Sequence, residues 1–293
     1  MAKNILIDSS FENETRIALI DNDKLEEYEI ESTNNTRIKS NVYLGKISRV
    51  EASLQAAFVD FGGNRHGFLP FTEIHPDYFK LPVADQKKLK DLIEKSNEDS
   101  IEENNISKQD IDNPQTNEEE SESTLKENSI NLKSKSTNKN RLFFNFFKKY
   151  KIQEVIKPRQ VILVQISKEE RGLKGAALST YLSFAGRYCV LMPNNNNKVG
   201  ISRKIQDQLE RKKLKEILDS LGIPKGMSTI VRTAGIGKSK KEIGKDLDFL
   251  MGQWNKIRDL TLKSNAPALI YEEGNLIKRT VRDLFNKDIK SII

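Results

Sequence analysis

Residues 94–140 read EKSNEDSIEENNISKQDIDNPQTNEEESESTLKENSINLKSKSTNKN, and this stretch constrains the rest of the chain most. No aromatic residue occurs between Phe79 and Phe143, and the segment begins acidic and ends basic. Such a composition cannot bury enough apolar area to offset the entropy of ordering, so the segment is expected to be disordered. The fold must then be built from the residues on either side, with the insertion leaving it as a surface loop. That is tolerable because loop-closure entropy grows only slowly with length. The tail of the insertion, LFFNFFKKY (142–150), is apolar and basic. It reads as either a short docking helix or an interfacial patch, with docking the favoured reading.

Before the insertion, short β-prone runs are separated by polar turns. They are NILI (4–7), TRIALI (15–20), LEEYEI (25–30), VYLGKISRV (42–50), LQAAFVDF (54–61) and a strand over 65–69. After it come QVILVQI (160–166) and two strands within 177–193 broken at Gly186. Short strands in close succession predict a small antiparallel barrel, interrupted and then completed. Further on, 207–220 reads as an amphipathic helix with Leu209, Leu214 and Leu218 on or near one face. A strand at 228–232, a Gly-rich loop, a helix over 241–262, a strand at 266–271 and a final helix through NLIKRTVRDLFNKDI complete the expectation.

With 293 residues the chain has room for two or three modules. Its net charge of +7 raises the prospect of an anionic partner, nucleic acid first, against the plain alternative of a basic soluble protein. One cysteine, Cys189, excludes an internal disulfide and a Cys-type zinc site, and reads as a small buried hydrophobe in a reducing compartment. The start MAKNILIDSS has no signal-peptide core, and no apolar run has membrane-spanning length.

The stretch AAFVDFGGNRHGFLPF (56–71) holds four phenylalanines. Alternate residues of a strand share a face. With an odd loop centred on Gly63, Phe58 lies opposite Phe68, and Asp60 opposite His66. Val59, Phe61, Gly67 and Leu69 then face the core, while Phe71 stays unassigned. Phe58, Phe68, His66 and Asp60 form either a stacking platform for bases or, in the bland reading, part of an aromatic core. Lys168, Arg171 and Lys174 punctuate the following strand and turn, as phosphate contacts or as a solvated loop. The sequence GIGKS (235–239) looks like a P-loop ending, but that motif needs Gly where Arg232 stands. Arg232 and Thr233 suit either phosphate binding or a salt-bridged Arg beside a flexible loop. The acidic pairs Asp246/Asp248 and Asp283/Asp288 lie on expected helices with basic neighbours and read as solvated faces. No His/Cys/Asp cluster has metal spacing.

AAFVDFGGNRHGFLP, KEERGLKGAALSTYLSFAGRYCVLMPN, GISRKI and GMSTIVRTAGIGKS, in this order, resemble the N-terminal half of the ribonuclease E/G family. LIDSSFENETRIALIDNDKLEEYEIE and NLIKRTVRDLF extend the resemblance to nearly the whole chain outside 84–148. HPDYFKLPVADQ, KYKIQEVIK and GRYCVLMPN look alphaproteobacterial in style. The resemblance implies an α+β architecture. An RNase H-like subdomain begins at 1–37 and returns at 278–293. An S1 (OB-type) RNA-binding barrel spans 38–180, and a 5′-sensor for a monophosphate spans 181–277. It assigns RNA contacts to Phe58, Phe68 and Lys174, with His66, Lys168 and Arg171 beside them. Phosphate sensing falls to Arg232 and Thr233, supported by Gly186 through close backbone approach, Val190 through its amide, and Arg203. The family's magnesium-binding catalytic aspartates and inter-subunit zinc cysteines are expected beyond residue 293, so no catalytic or metal residue is assigned here. The implied partners are single-stranded RNA with a 5′-monophosphate, further copies of the full-length protein and other RNA-decay proteins. The implied location is the cytoplasm or the inner-membrane periphery. Two rival readings remain: a stand-alone S1-type RNA-binding protein, and a scaffold recruiting partners through 94–150.

Overall fold

A computed structural model describes residues 3–32, 37–82, 150–172, 174–195, 200–224, 226–285 and 288–293. The expected insertion at 84–148 lies outside the described residues, as does LFFNFFKKY except for Tyr150, which packs against the barrel core.

Three strands, β1 (Lys3–Phe11), β2 (Glu14–Asp21) and β3 (Lys24–Ser32), form an antiparallel meander. Asn22 and Asp23 connect β2 to β3 with positive φ of 44° and 62°. Such two-residue turns match the twist of the flanking strands, and Asn and Asp tolerate that conformation. Ile5, Ile17 and Leu19 supply the buried side of this sheet.

The barrel follows. β4 (Val42–Glu51), β5 (Ala56–Asp60), β6 (Gly67–Pro70), β7 (Val161–Lys168) and β8 (Ala177–Ser179) pair in the order β4-β5-β6-β8-β7, and β7 returns to β4 to close the ring. Closure follows from alternation: Ile47, Val59, Leu69, Ile162, Val164, Ile166 and Leu178 all point inward and are buried. Each such side chain stabilises by roughly 1.5–3 kcal/mol on burial. Phe61 is 2% exposed, and Phe71, left unassigned by alternation, is 9% exposed with its ring 5.3 Å from that of Phe79. A short helix, α1 (Ile152–Val155), plugs the same core with Ile152 and Val155.

A second sheet comprises β9 (Phe184–Ala185), β10 (Cys189–Met192), β11 (Gly200–Ile201) and β12 (Ser228–Val231), in the order β11-β12-β10-β9. Against it pack α2 (Gln208–Ser220) and α3 (Lys240–Lys263). On α3, Ile243, Leu247, Leu250 and Ile257 recur at helical spacing and are buried. On α2, Leu214 and Leu218 are buried, whereas Leu209 is 71% exposed. Leu209 precedes Leu214 by five residues, which at 3.6 residues per turn points it well away from the buried stripe. Strand β13 (Ala268–Tyr271) then joins the barrel by pairing with β4.

The C-terminal helix α4 (Leu276–Leu284) is shorter than NLIKRTVRDLFNKDI predicted. It stops before Phe285, and β14 (Ile289–Ile292) runs parallel to β1. Backbone bonds from Lys3 to Asp288, Ile7 to Ile293 and Ile293 to Ile5 recruit these residues to the free edge of β1. That long-range pairing overrides their local helical pattern. Among the described residues, no helix is long and apolar enough to cross a membrane.

Candidate nucleic-acid interface

The first site lies on the outer wall of the barrel. Phe58 pairs with Phe68 and Val59 with Gly67, the register that an odd loop about Gly63 requires. Because side chains alternate, burying Val59 and Leu69 turns Phe58 and Phe68 outward, where both are half-buried. Their rings meet edge to face at 5.9 Å. His66 precedes β6 rather than lying in it, so the strand is shorter at that end than expected. It is exposed, with Nδ1 3.2 Å from Ser48 Oγ.

The ladders continue the aromatic pair into a row across all five barrel strands. Arg49 opposes Phe58, Phe58 opposes Phe68, Phe68 opposes Ala177 and Ala177 opposes Lys168. Two rings thus sit mid-row with a cation at each end. Arg171 and Lys174 close a tight turn with reciprocal backbone bonds of 3.1 Å. Arg65 Nη1 donates to the Gly172 carbonyl at 2.8 Å, tying that turn to the loop before β6. Gly175 packs directly against the backbone carbonyl of His66, an approach that leaves no room for a Cβ. Lys168, Arg171 and Lys174 are all exposed.

Arg49 was not anticipated from alternation. Its guanidinium carbon lies 4.3 Å from the centroid of the Phe58 ring. Simple period-two counting would put Ser48, not Arg49, on the outer face. Only the strand pairing shows which of Ser48 and Arg49 meets Phe58.

The second site is one end of the β9–β12 sheet. β11 and β12 are parallel and β10 and β9 antiparallel to their neighbours, so the 186–189 turn, Arg203 and Arg232 share one edge. Ser202 N donates to the Val231 carbonyl at 2.9 Å, setting the exposed Arg203 beside Arg232. Arg232 Nη1 donates to the Gly186 carbonyl at 2.7 Å and to Asp283 Oδ1 at 2.6 Å. Thr233 is exposed and opens the short turn after β12. Val190 lies one residue inside the edge, opposite both Ile230 and Ala185. Arg187 and Lys238 both lie against the Tyr188 ring, at 5.3 and 5.4 Å.

Two aspartates read as solvated are structural here. Asp246, on α3, accepts the backbone amides of Arg187 at 3.0 Å, Tyr188 at 2.8 Å and Cys189 at 2.9 Å. A Cβ on Gly186 would meet Asp246 Oδ2 at 2.6 Å, so the close approach at Gly186 is by this carboxylate. Asp283, on α4, is gripped by Arg282 at 3.2 and 3.0 Å as well as by Arg232. Burial tends to raise its carboxyl, but the bonds from the two arginines prevail and hold it below the usual carboxylate range. Asp248 is exposed as expected. Burial pushes the Cys189 thiol up to about 12, as a small buried hydrophobe requires.

Beside this edge, a cleft of about 330 Å³ is lined by Arg37, Lys39 and Arg282 together with Glu27, Glu273 and Asp283. Its mixed signs make no field for an anion. Among the described residues, no group of three or more His, Cys, Asp or Glu is placed to hold a metal ion.

A family profile described as the Ribonuclease E/G family matches residues 183–293. Ribonuclease E of Escherichia coli (strain K12) is 38% identical over 291 residues, covering 99% of this chain and 22% of that protein. Ribonuclease E of Buchnera aphidicola subsp. Schizaphis graminum is 37% identical over 291 residues, covering 99% and 24%. Ribonuclease G of Haemophilus influenzae is 29% identical over 280 residues, covering 96% and 45%. The chain therefore spans about a quarter of the length of these ribonuclease E relatives. By the similarity that runs through both sites and both flanking sheets, the chain belongs to the ribonuclease E/G family.

Proposed function

We propose that this chain is the RNA-engaging portion of a ribonuclease E/G-type endoribonuclease. In this reading the barrel is an S1 (OB-type) module that holds single-stranded RNA, and the β9–β12 edge senses a 5′-monophosphate. The observation that carries it is the row Arg49–Phe58–Phe68–Ala177–Lys168 on the outer barrel wall. Flat rings flanked by cations suit bases and phosphates together, since stacking needs no sequence and charge follows the backbone. Lys174, Arg171 and His66 extend the same face.

At the second site, both contacts of Arg232 use Nη1. The edge formed by Nε and Nη2 is engaged by neither, and a phosphate takes such an edge with two parallel bonds. Thr233 adds a hydroxyl. Asp283 fixes the guanidinium and tempers its charge. These residues bind and orient RNA; none is assigned to breaking a bond. Cleavage of single-stranded RNA in processing and decay, the magnesium and zinc of the whole enzyme, and its self-association belong to the same proposal, through the family.

The test is binding of 3′-labelled single-stranded RNA bearing either a 5′-monophosphate or a 5′-hydroxyl. Phe58→Ala with Phe68→Ala should weaken both, by about 1–3 kcal/mol per stacked base lost. Arg232→Ala should abolish the preference for the monophosphate and spare the rest. Unchanged affinity in the folded double variant refutes the platform. Preference retained in Arg232→Ala refutes the sensor.

A further inference from the structure

Two slips of register shape the row on the barrel wall. Ile47 opposes Val59, yet Arg49 opposes Phe58, so Ser48 is an extra residue in β4. Ile166 opposes Leu178, yet Lys168 opposes Ala177, so Ser167 is an extra residue in β7. In both bulges the serine hydroxyl donates to a carbonyl of the partner strand. Ser48 Oγ reaches the Phe58 carbonyl at 3.0 Å, and Ser167 Oγ reaches that of Ala177 at 3.0 Å. Each carbonyl belongs to the residue that the following cation opposes. A bulge re-aims the side chain after it. Without the one at Ser48, Arg49 would oppose Ala57 and point into the barrel. With it, the exposed guanidinium lies 4.3 Å from the Phe58 centroid.

We propose that Arg49 is itself an RNA-contact residue. It covers Phe58 from the β4 side, while Phe68 flanks Phe58 from the β6 side. A base reaching this end of the row meets the guanidinium plane first and stacks on it, in the order base, Arg49, Phe58. The charge of Arg49 pairs with the adjoining phosphate. Arginine planes stack on both bases and aromatic rings, which a lysine cannot do. This inference rests on the reading of the barrel wall as an RNA surface.

The experiment measures the affinity of a short, 3′-labelled, 5′-hydroxyl single-stranded RNA by fluorescence anisotropy across a salt series. The full chain is used, with folding checked by circular dichroism. Arg49→Ala should weaken binding about tenfold, the loss of one stacking contact. It should also reduce the slope of log K against log salt by about 0.7, one phosphate contact fewer. Arg49→Lys should restore the slope but not the affinity. Unchanged or tighter binding by Arg49→Ala, with Phe58→Ala, Phe68→Ala still weak, overturns the inference and leaves the platform standing. Full rescue by Arg49→Lys overturns the stacking role. If neither Arg49→Ala nor the phenylalanine pair alters binding, both readings fall.

Discussion

Replacing Asp246 by Ala should loosen the 186–189 turn without touching any proposed RNA contact directly. Its carboxylate accepts three consecutive amides at 2.8–3.0 Å, reaching from α3 to the start of β10. Hydrogen bonds to a charged group contribute about 1.5–3 kcal/mol each. Three to one carboxylate do not add independently, and half-buried amides recover some water, so the loss should be about 3–4 kcal/mol. That is a large fraction of the roughly 5–15 kcal/mol that holds a domain together. Asp246→Asn should cost less than Ala, because its Oδ1, set where Oδ2 lies, still accepts the Tyr188 and Cys189 amides and only its NH2 group faces the Arg187 amide. Urea unfolding gives the midpoint shift, and hydrogen exchange at Arg187, Tyr188 and Cys189 localises it. Because the Gly186 carbonyl anchors Arg232, the variant should also blunt any 5′-monophosphate preference. A loss below about 1 kcal/mol, with the three amides still protected, would refute the view that Asp246 organises this edge.

Two other perturbations follow from the same geometry. The pairing of Asp283 with Arg232 and Arg282 depresses its carboxyl, so its stabilising contribution is present above the unfolded carboxylate value of about 3.9 and is lost as pH falls through the lower folded value. Asp283→Asn should therefore cost about 1 kcal/mol at pH 7, discounted for partial exposure, with the gap to wild type closing as pH falls below the ordinary carboxylate value of about 3.9 in urea titrations. Gly175→Ala sets a Cβ against the His66 backbone carbonyl, which cannot rotate away, and should cost at least about 2 kcal/mol in thermal or urea unfolding and weaken RNA binding; wild-type stability in that variant would deny the close packing of the Arg171–Lys174 turn against β6.

Much of the barrel wall was legible because the strand period is two. Alternation alone separated Phe61, Val59 and Leu69 from Phe58 and Phe68, and burial follows that division. The interruption of the barrel and its completion by 160–166 were readable from composition and β-branched runs. The helix ends were less so. Leu209 shares the apolar character of Leu214 and Leu218 but not their angular position, and the helical pattern of the last segment continues into residues that β1 claims as a strand. Phe71 could not be placed by parity because the chain leaves the strand at Pro70 and turns its ring into the core beside Phe79.

By itself the sequence determined the family, the alternating faces of the β5–β6 hairpin and the residue types available at each candidate site. These depend on local order along the chain, which a linear string carries. The tertiary structure decided which charges are free. Asp246 and Asp283 look like any solvated helix acids until α3 and α4 bring them 57 and 51 residues across to Cys189 and Arg232. It also decided that Arg49 covers Phe58. One extra serine in a ladder shifts the outward phase by a residue, and an extra residue shows itself only against the strand with which it fails to pair.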